Sequence, residues 1–327
     1  MGQTELPEIT IVIPTYKRTD CLIRLLDSLN HQTANKAVFE IIVVDNAPQE
    51  SINEVKILCD SPAYSELNLR YIYHSEAGVS AARNRGVAAA RGELIGFLDD
   101  DTLPPPDWTE QVVKIFSETK ADILGGPTKP YYHVDKPAWF RDMYAVTTQG
   151  ENACWLIGNK TVSGANMAWR KHVIKELGGF LIVYGYLGKR KIYGEETELN
   201  LRAHRAGFRT WYDPRLLIQH CAHSDRMRVS WFFSLGYRYG QSKARLFFRE
   251  WHAQDSRSVP RQVLSQFKSV IVNFTNLLGS LMVLPFRPRK KYQFWQNYAI
   301  EFIQPRIERF SVSVKLLELY FSNEAKP

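Results

Sequence analysis

Short runs of apolar, β-branched residues alternate with helix-like segments through the first third of the chain, and this alternation constrains the fold more than any other feature. The runs are EITIVIPTY from residue 8, FEIIVVDNA from 39, LRYIYH from 69 and ELIGFLDDD from 93. Segments with helical spacing lie between them at 19–31, 50–59 and 79–90. Continuous apolar strands separated by amphipathic helices predict a mostly parallel central sheet with helices on both faces.

Polar residues stand where these runs end. Pro14-Thr15 closes the first run, Asp45-Asn46 the second and Asp99–Asp101 the fourth. In open sheets of this kind, ligands bind outside the carboxyl ends of the strands. We therefore expect the three groups to meet in one crevice. Further along, RTWYDPRLLIQH from residue 209 predicts a pair of short strands.

Two acidic runs indicate metal-assisted chemistry. Adjacent carboxylates such as Asp99-Asp100-Asp101 repel one another and resist desolvation, so they favour a bound cation. Alternation along extended backbone places Asp99 and Asp101 on one side and Asp100 on the other. The second run, Glu195-Glu196, opens a predicted helix and suits a reaction that needs a general base. The alternative for this pair is a solvated helix N-terminus.

Charge is distributed unevenly along the 327 residues. The formal net charge is +8, with −5 over residues 1–200 and +13 over residues 201–327. The basic part predicts an anionic partner surface, either phospholipid or nucleic acid, or else simply a solvated basic surface. The four cysteines show no CxxC spacing and predict buried thiols in a reducing compartment. The N-terminus has no signal-peptide pattern.

One helical stretch in the basic part, at 263–281, has two contrasting stripes. Its apolar stripe is Val263, Phe267, Val270, Phe274, Leu277, Leu278 and Leu281, and its polar stripe is Ser269, Asn273, Asn276 and Ser280. The polar stripe argues against a lone membrane span and favours an interfacial helix. The basic residues that follow, Arg287, Arg289, Lys290 and Lys291, suit anionic headgroups, and Phe294, Trp295 and Tyr298 suit an aromatic belt. A helix docked on the catalytic domain is the alternative.

The ordered motifs resemble the family 2 glycosyltransferases, which are inverting enzymes of the GT-A fold. The matching phrases are VIPTYKR at 12–18, VVDNA at 43–47, AGVSAARNRG at 77–86, FLDDD at 97–101, SGANMAWR at 163–170 and GEETELNLR at 194–202. The resemblance covers roughly residues 8–225 and is closest to bacterial cell-envelope polysaccharide members. It implies a Rossmann-like α/β GT-A domain at 1–225. The pattern of the remaining residues predicts a helical region at 226–327, with membrane association or packing on the catalytic domain as its alternatives.

The resemblance also assigns roles in donor binding. It implies that Pro14, Thr15 and Tyr16 line the pocket for the nucleotide base. Asp45 would accept a hydrogen bond from the base or ribose, the alternative being a turn residue. Arg83 would reach the base or the diphosphate, and the alternative is a solvated helix arginine. The nucleotide-sugar donor is expected to carry uridine.

The acidic runs acquire roles from the same resemblance. Asp99 and Asp101 would bind Mn²⁺ or Mg²⁺ together with the donor diphosphate, with Asp100 at the variable middle position. Glu196 would be the catalytic base, with Glu195 as its competitor. His220 would complete the metal site, with His223 as the alternative candidate, and an imidazole ligand would favour manganese.

The sequence therefore predicts a metal-dependent inverting glycosyltransferase that acts on a saccharide or lipid-linked saccharide acceptor in cell-envelope or exopolysaccharide biosynthesis. We expect a cytoplasmic protein with peripheral contact at the inner face of the membrane and no nucleic-acid partner. The QxxRW motif of processive members is absent, so a single transfer per encounter is expected. The alternatives are a nucleotidyltransferase acting on sugar phosphates and a membrane-bound basic scaffold or binding protein.

Overall fold

The computed structural model describes residues 6–47, 52–187, 190–254, 259–288 and 291–321. The chain forms two compact units. The first comprises Met1–Tyr131, Asp142–Arg190 and Glu195–Cys221, and the second comprises Tyr132–Arg141, Lys191–Gly194 and Ala222–Pro327. The division that the sequence predicts at residue 225 stays a prediction. Arg289 and Lys290, two of the basic residues expected at a membrane, lie outside the described residues.

An eight-stranded sheet forms the centre of the first unit, with the strand order β3-β2-β1-β4-β9-β6-β12-β8. Its strands are β1 (Ile9–Thr15), β2 (Phe39–Asp45), β3 (Leu69–Tyr73), β4 (Leu94–Leu98), β6 (Ile123–Gly125), β8 (Cys154–Leu156), β9 (Asn166–Arg170) and β12 (Thr210–Tyr212). Pairing is parallel from β3 to β4 and between β6 and β12, whereas β9 and β8 run antiparallel to their neighbours. This is the GT-A-like α/β architecture with a mostly parallel sheet that the sequence predicts.

Helices cover both faces of this sheet. They are α1 (Thr19–Asn30), α2 (Ile52–Cys59), α3 (Val79–Ala89), α4 (Trp108–Thr119), α5 (Lys171–Glu176) and α6 (Glu195–Arg205). Strands β1 and β2 are buried at every position because each face supplies one apolar layer. Alternate residues go to opposite layers: Ile11 and Ile13 join one hydrophobic cluster, and Val12 joins the other.

A second, three-stranded sheet has the order β5-β13-β7. Its strands are β5 (Thr102–Leu103), β7 (Thr128–Tyr131) and β13 (Ile218–Cys221), while β10 (Gly185–Leu187) and β11 (Arg190–Ile192) pair separately. The two strands predicted in RTWYDPRLLIQH therefore do form, but the prediction that they pair with each other is wrong, because they belong to different sheets. A turn at Pro214–Leu216 separates them, and the Asp213 side chain caps it by accepting a hydrogen bond from the Arg215 amide.

The second unit is helical. Its helices are α7 (Val229–Gln254), α8 (Val259–Val283), α9 (Trp295–Tyr298) and α10 (Gln304–Phe321), with a π-helical turn at Ala299–Ile303 before α10. Close approach of α7 to α10 requires Gly240, because a Cβ there would lie 2.5 Å from the Glu308 carbonyl oxygen. The buried Ser311 hydroxyl donates to the Tyr237 carbonyl at 2.7 Å and fixes the register of the two helices.

Candidate active site

The carboxyl ends of β1 and β4 are tied together directly. The Thr15 hydroxyl, at the end of β1, donates to Asp100 Oδ2 over 2.8 Å. The buried Asp100 also accepts from the Arg18 guanidinium at 3.2 Å, and Arg18 reaches Asp101 Oδ2 at 3.0 Å. Lys17 adopts a left-handed φ of 54°, which turns the chain between β1 and Arg18. The loop after β1 is thus held against the acidic run.

Asp99 and Asp101 face a common point with His220. One ligand atom from each of the three side chains lies within 4.8 Å of the others. Asp101 is buried, and His220 Nε2 lies 3.0 Å from Asp101 Oδ1. The pairing of strands explains the proximity, because β13 lies against β5 with His220 opposite Thr102. The Cys221 amide donates to the Asp101 carbonyl at 2.9 Å. Two carboxylates and one imidazole form a donor set that suits Mn²⁺ or Mg²⁺.

Asp100 is not in this cluster of the described residues, although Arg18 Nη1 contacts both Asp100 and Asp101. The acidic run lies in a turn after β4, in which the Thr102 amide donates to the Asp99 carbonyl at 3.1 Å. Burial raises the pKa of Asp100 to about 6, while the adjacent Arg18 acts in the opposite direction. Both of its carboxylate oxygens are used by Thr15 and Arg18. The expected contact between Asp100 and the donor stays a prediction, and the observed partners give this residue a structural role. His223 is not in the Asp-Asp-His cluster of the described residues.

Arg83 links the two acidic runs, a role that the sequence did not reveal. Its buried guanidinium donates to Asp99 Oδ1 at 3.0 Å through Nη2 and to Glu195 Oε1 at 2.9 Å through Nη1. Nη2 also donates to the Gly164 carbonyl at 3.2 Å. A Cβ at Gly164 would lie 2.9 Å from Nη2, so the glycine of the SGAN phrase makes room for the arginine.

Aromatic rings complete the enclosure of Arg83. The guanidinium carbon lies 5.9 Å from the Phe97 ring centre and 5.5 Å from the Phe180 ring centre, within the range of cation–π contact. Donor contact by Arg83 stays a prediction. Because its amino groups are already bonded to two carboxylates and a carbonyl, the observed geometry assigns it to holding Asp99 and Glu195. These contacts join residues 83, 99, 164 and 195, which lie in four different motifs of the sequence. Only a structure that brings the motifs together could have indicated them.

The two glutamates at the start of α6 have different surroundings. Glu195 is buried and pairs with Arg83, whereas Glu196 is half-buried and accepts only a hydroxyl hydrogen bond, from Thr197 at 3.1 Å, among the described contacts. Burial and the Glu195 carboxylate raise the pKa of Glu196 to about 8, and Arg83 partly opposes this effect. A carboxylate with this pKa takes up a proton readily near neutral pH.

The residues expected around the donor base occupy the ends of β1 and β2. Pro14 and Thr15 are buried, and Tyr16 is half exposed with a ring free to contact a ligand. Asp45 is fully buried, accepts from the Ala47 amide at 2.9 Å and from the Tyr71 hydroxyl at 3.4 Å. Burial raises the pKa of the Asp45 carboxyl. No contact joins Asp45 to the acidic run in the described hydrogen bonds, so its donor role stays a prediction.

The family sequence pattern described as Glycosyl transferase family 2 matches residues 10–178 of this chain. The chain belongs to that family. This match covers seven of the eight strands of the central sheet, all but β12, together with the acidic run after β4 and Arg83. The resemblance drawn from the six phrases is thereby confirmed.

The chain is also similar to individual proteins named for glycosyl transfer or polysaccharide biosynthesis. Glycosyltransferase AglE of Haloferax volcanii is 31% identical over 176 residues, which are 54% of this chain and 56% of AglE. Pre-mycofactocin glycosyltransferase of Mycobacterium tuberculosis is 27% identical over 250 residues, 74% of this chain and 48% of that protein. The chain thus spans about half the length of these two relatives. Succinoglycan biosynthesis protein ExoM of Rhizobium meliloti is 24% identical over 250 residues, 75% of this chain and 76% of ExoM.

Solved structures show the same fold at low sequence identity. Mannosyltransferase PcManGT from Pyrobaculum calidifontis, in complex with GDP-Man and Mn²⁺, superposes with a TM-score of 0.58 and 16% identity, over 96% of this chain and 88% of the other. Residues 1–349 of S. aureus TarS, in complex with UDP, give 0.51 and 16% over 96% and 91%. These likenesses establish the GT-A-like fold.

Proposed function

We propose that this chain transfers a sugar, with inversion, from a nucleoside-diphosphate sugar to a hydroxyl group of a saccharide or lipid-linked saccharide. The observation that carries the proposal is the convergence of Asp99, Asp101 and His220 at the carboxyl ends of the sheet, with a separate carboxylate, Glu196, beyond the Arg83 bridge. One cluster suits a cation and a diphosphate. The other suits proton removal.

Asp99, Asp101 and His220 would hold a divalent cation. When bound, the cation supplies Lewis-acid neutralisation of the charge on the departing nucleoside diphosphate. The imidazole favours Mn²⁺ over Mg²⁺, and PcManGT was solved with Mn²⁺. Arg83 keeps the Asp99 carboxylate oriented, and Arg18 does the same for Asp101.

Glu196 is the residue we assign as the base. An inverting displacement needs one group that takes the proton from the acceptor hydroxyl as its oxygen attacks the anomeric carbon. Glu195 is already ion-paired with Arg83, so its carboxylate is engaged in a structural contact. Glu196 has no ion-pair partner among the described residues, and its raised pKa suits the role.

For the donor we favour uridine, bound by Pro14, Thr15, Tyr16 and Asp45. Tyr16 offers an exposed ring on which a base can stack. UDP is the nucleotide in the TarS complex, although PcManGT holds GDP-Man. We propose that hydrogen bonds between the base and the end of β2 decide between a uridine and a guanosine donor.

We place the reaction in polysaccharide assembly at the inner face of the membrane, with one transfer per encounter. The similarity to ExoM, a succinoglycan biosynthesis protein, supports a polysaccharide product. In the described part of the chain, one helical stretch is long and apolar enough by composition to cross a membrane. It is Ser265–Phe286, which comprises most of α8 and the turn that follows it. It supports membrane contact of some kind, which suits a lipid-linked acceptor.

The test is transfer of label from a panel of radiolabelled nucleotide sugars into a lipid extract, with Mn²⁺ or with a chelator. Glu196→Gln should bind UDP and Mn²⁺ normally but transfer about 10²–10⁴-fold more slowly, since it removes the base. Glu176→Gln, an exposed carboxylate on α5, is the matched control. Near-normal transfer by Glu196→Gln would contradict the base assignment. Pyrophosphate release from UTP and a sugar phosphate would support the nucleotidyltransferase alternative instead.

A further inference from the structure

Helix α8 is amphipathic in the opposite sense to a helix of a water-soluble bundle. The side that is turned toward its own unit carries Ser269, Asn273 and Ser280 among apolar neighbours. Asn273 Nδ2 donates to Ser313 Oγ of α10 at 2.9 Å, and Ser280 is almost completely buried. Three residues of the polar stripe seen in the sequence therefore face protein, whereas the fourth, Asn276, is exposed.

The opposite side of α8 is apolar and exposed. Its large side chains include Phe267, Ile271, Val272, Leu278 and Met282, of which Ile271 is 63% exposed and Met282 73%. Phe286, in the turn after α8, is 84% exposed. Lys268 and Thr275 are the exposed polar residues on this side. A contiguous apolar surface of this length is unusual on a soluble monomer and indicates an interaction site. Scattered exposed residues such as Ile57 on α2 carry no such implication.

The charges around this face favour an anionic partner. Between residues 256 and 300 the sequence has no Asp or Glu, and the described basic residues on α8 or soon after it are Lys268, Arg287 and Lys291. A symmetric dimer through this face would bring two such basic segments together, which costs free energy. Anionic headgroups would instead neutralise them, each basic residue near the surface contributing favourably.

The neighbouring helix shows how α8 would lie. Along its middle, α8 packs on α10, where Phe274 and Phe310 lie 5.6 Å apart between ring centres and Asn273 reaches Ser313. Helix α10 carries Arg306, Glu308, Arg309, Lys315 and Glu318. If α8 crossed a bilayer, these charges would enter the hydrocarbon at the same depth, which is strongly unfavourable. A helix lying in the plane of the interface avoids that.

We propose that the outward face of α8 docks flat on an anionic lipid bilayer, with its apolar side chains in the acyl boundary and α10 on the protein side. This deepens the proposed function, because it identifies the surface that would bring the chain to a lipid-linked acceptor. Not every aromatic residue after α8 takes part: Trp295 is 43% exposed, but Tyr298 is buried against Tyr292 and Phe302. Tyr298 therefore does not belong to the aromatic belt that the sequence predicts.

Vesicle flotation of the full chain tests the proposal without relying on sugar transfer. The wild type should float with phosphatidylcholine vesicles that contain phosphatidylglycerol and float less with phosphatidylcholine alone. The double variant Ile271→Glu/Met282→Glu should lose roughly 100-fold in partitioning, since two apolar side chains leave the acyl boundary. Ile57→Glu, an equally exposed isoleucine in the other unit, is the control and should float like the wild type.

Three results would overturn the proposal. They are wild-type protein that stays unbound, a double variant that floats normally, and binding that is equal for the two vesicle types. A lipid-free dimer that the double variant converts to a monomer would assign the face to self-association. Retention of UDP and Mn²⁺ binding by the double variant would show that failure here leaves the proposed transferase function standing.

Depth measurements separate a flat helix from a spanning one. Nitroxide labels at Ile271→Cys and Met282→Cys stand about 16 Å apart along the axis and on the same face. A flat helix gives both labels the same shallow depth, judged by oxygen against nickel-chelate relaxation. Depths that differ by most of that length would show that α8 spans and would overturn the flat arrangement.

Discussion

The acidic site and helix α8 both place polar groups inside protein, yet they do so for different reasons. At the site, Arg83 is enclosed with Asp99 and Glu195, and each charge has an opposite partner. On α8, neutral Asn273 and Ser280 are turned inward while Ile271 and Met282 are left outside. At the acidic site, the ion pairs hold the carboxylates of the proposed reaction in place. On α8, turning amides and hydroxyls inward leaves an apolar outer surface that is unsuited to water.

The comparison predicts that substitutions in the two regions change the free energy of unfolding by unequal amounts. Urea unfolding measures all of these changes on one scale. The largest cost is expected for Arg83→Met, which leaves the buried Glu195 and the partly exposed Asp99 without their shared partner. We expect a loss of about 3–5 kcal/mol in the free energy of unfolding. Arg85→Met, on the exposed side of the same helix, is the control and should change it little. Equal values for the two variants would show that the bridge is not formed.

The next effect has the opposite sign. The pKa of Glu196 is raised to about 8 in the folded chain, above its ordinary value, so the folded state binds that proton more tightly than the unfolded state. Its contribution to stability is therefore present at low pH and is lost as pH rises toward the folded pKa. Glu196→Gln should add about 1–3 kcal/mol at pH 9 and close to nothing near pH 4. A variant that is destabilised at pH 9 would contradict the raised pKa.

A smaller loss is expected on the inward side of α8. Asn273→Ala removes the hydrogen bond to Ser313 and leaves that hydroxyl without this donor. The expected cost is about 0.5–1.5 kcal/mol in the free energy of unfolding. Ser313→Ala in the same background should add little further cost, because the two side chains share one bond. Additive losses would mean that the inward polar contact is not made.

The smallest effect is expected on the outward side. Ile271→Glu, in buffer without lipid, should change the free energy of unfolding by less than about 0.5 kcal/mol, because the side chain loses almost no protein contact. A loss larger than that of Asn273→Ala would reverse the comparison. It would show that the outward face is covered by protein in solution.

The sequence predicts those features that depend on local pattern. Alternating apolar runs indicated the parallel strands β1, β2 and β4, because the strand period is a property of a short segment. His220 was proposed as a metal ligand from the family resemblance; the structure brings it to Asp101, and its role stays a prediction. Strand alternation was expected to separate Asp100 from Asp99 and Asp101, but these residues lie in a turn after β4.

Features that depend on contacts between distant segments were not predicted. Arg83 was expected to reach the donor, but its position between Asp99 and Glu195 is set by packing among three separate elements and the gap left by Gly164. The stripes of α8 were visible in the sequence, yet periodicity does not reveal which stripe meets protein. Only the contact with α10 shows that Asn273 of the polar stripe is turned inward, whereas Asn276 of the same stripe is exposed.

The most direct test of the central claim is Mn²⁺ binding in the presence of UDP. Binding is monitored as the loss of the resonance signal of free Mn²⁺. The account predicts one Mn²⁺ bound by the wild type with UDP and at least about 100-fold weaker binding by Asp101→Asn, a change that keeps the shape of the side chain but removes a charged ligand. Asp107→Asn, outside the cluster, should bind like the wild type. Equal Mn²⁺ affinity in Asp101→Asn and the wild type would contradict the assignment of this site.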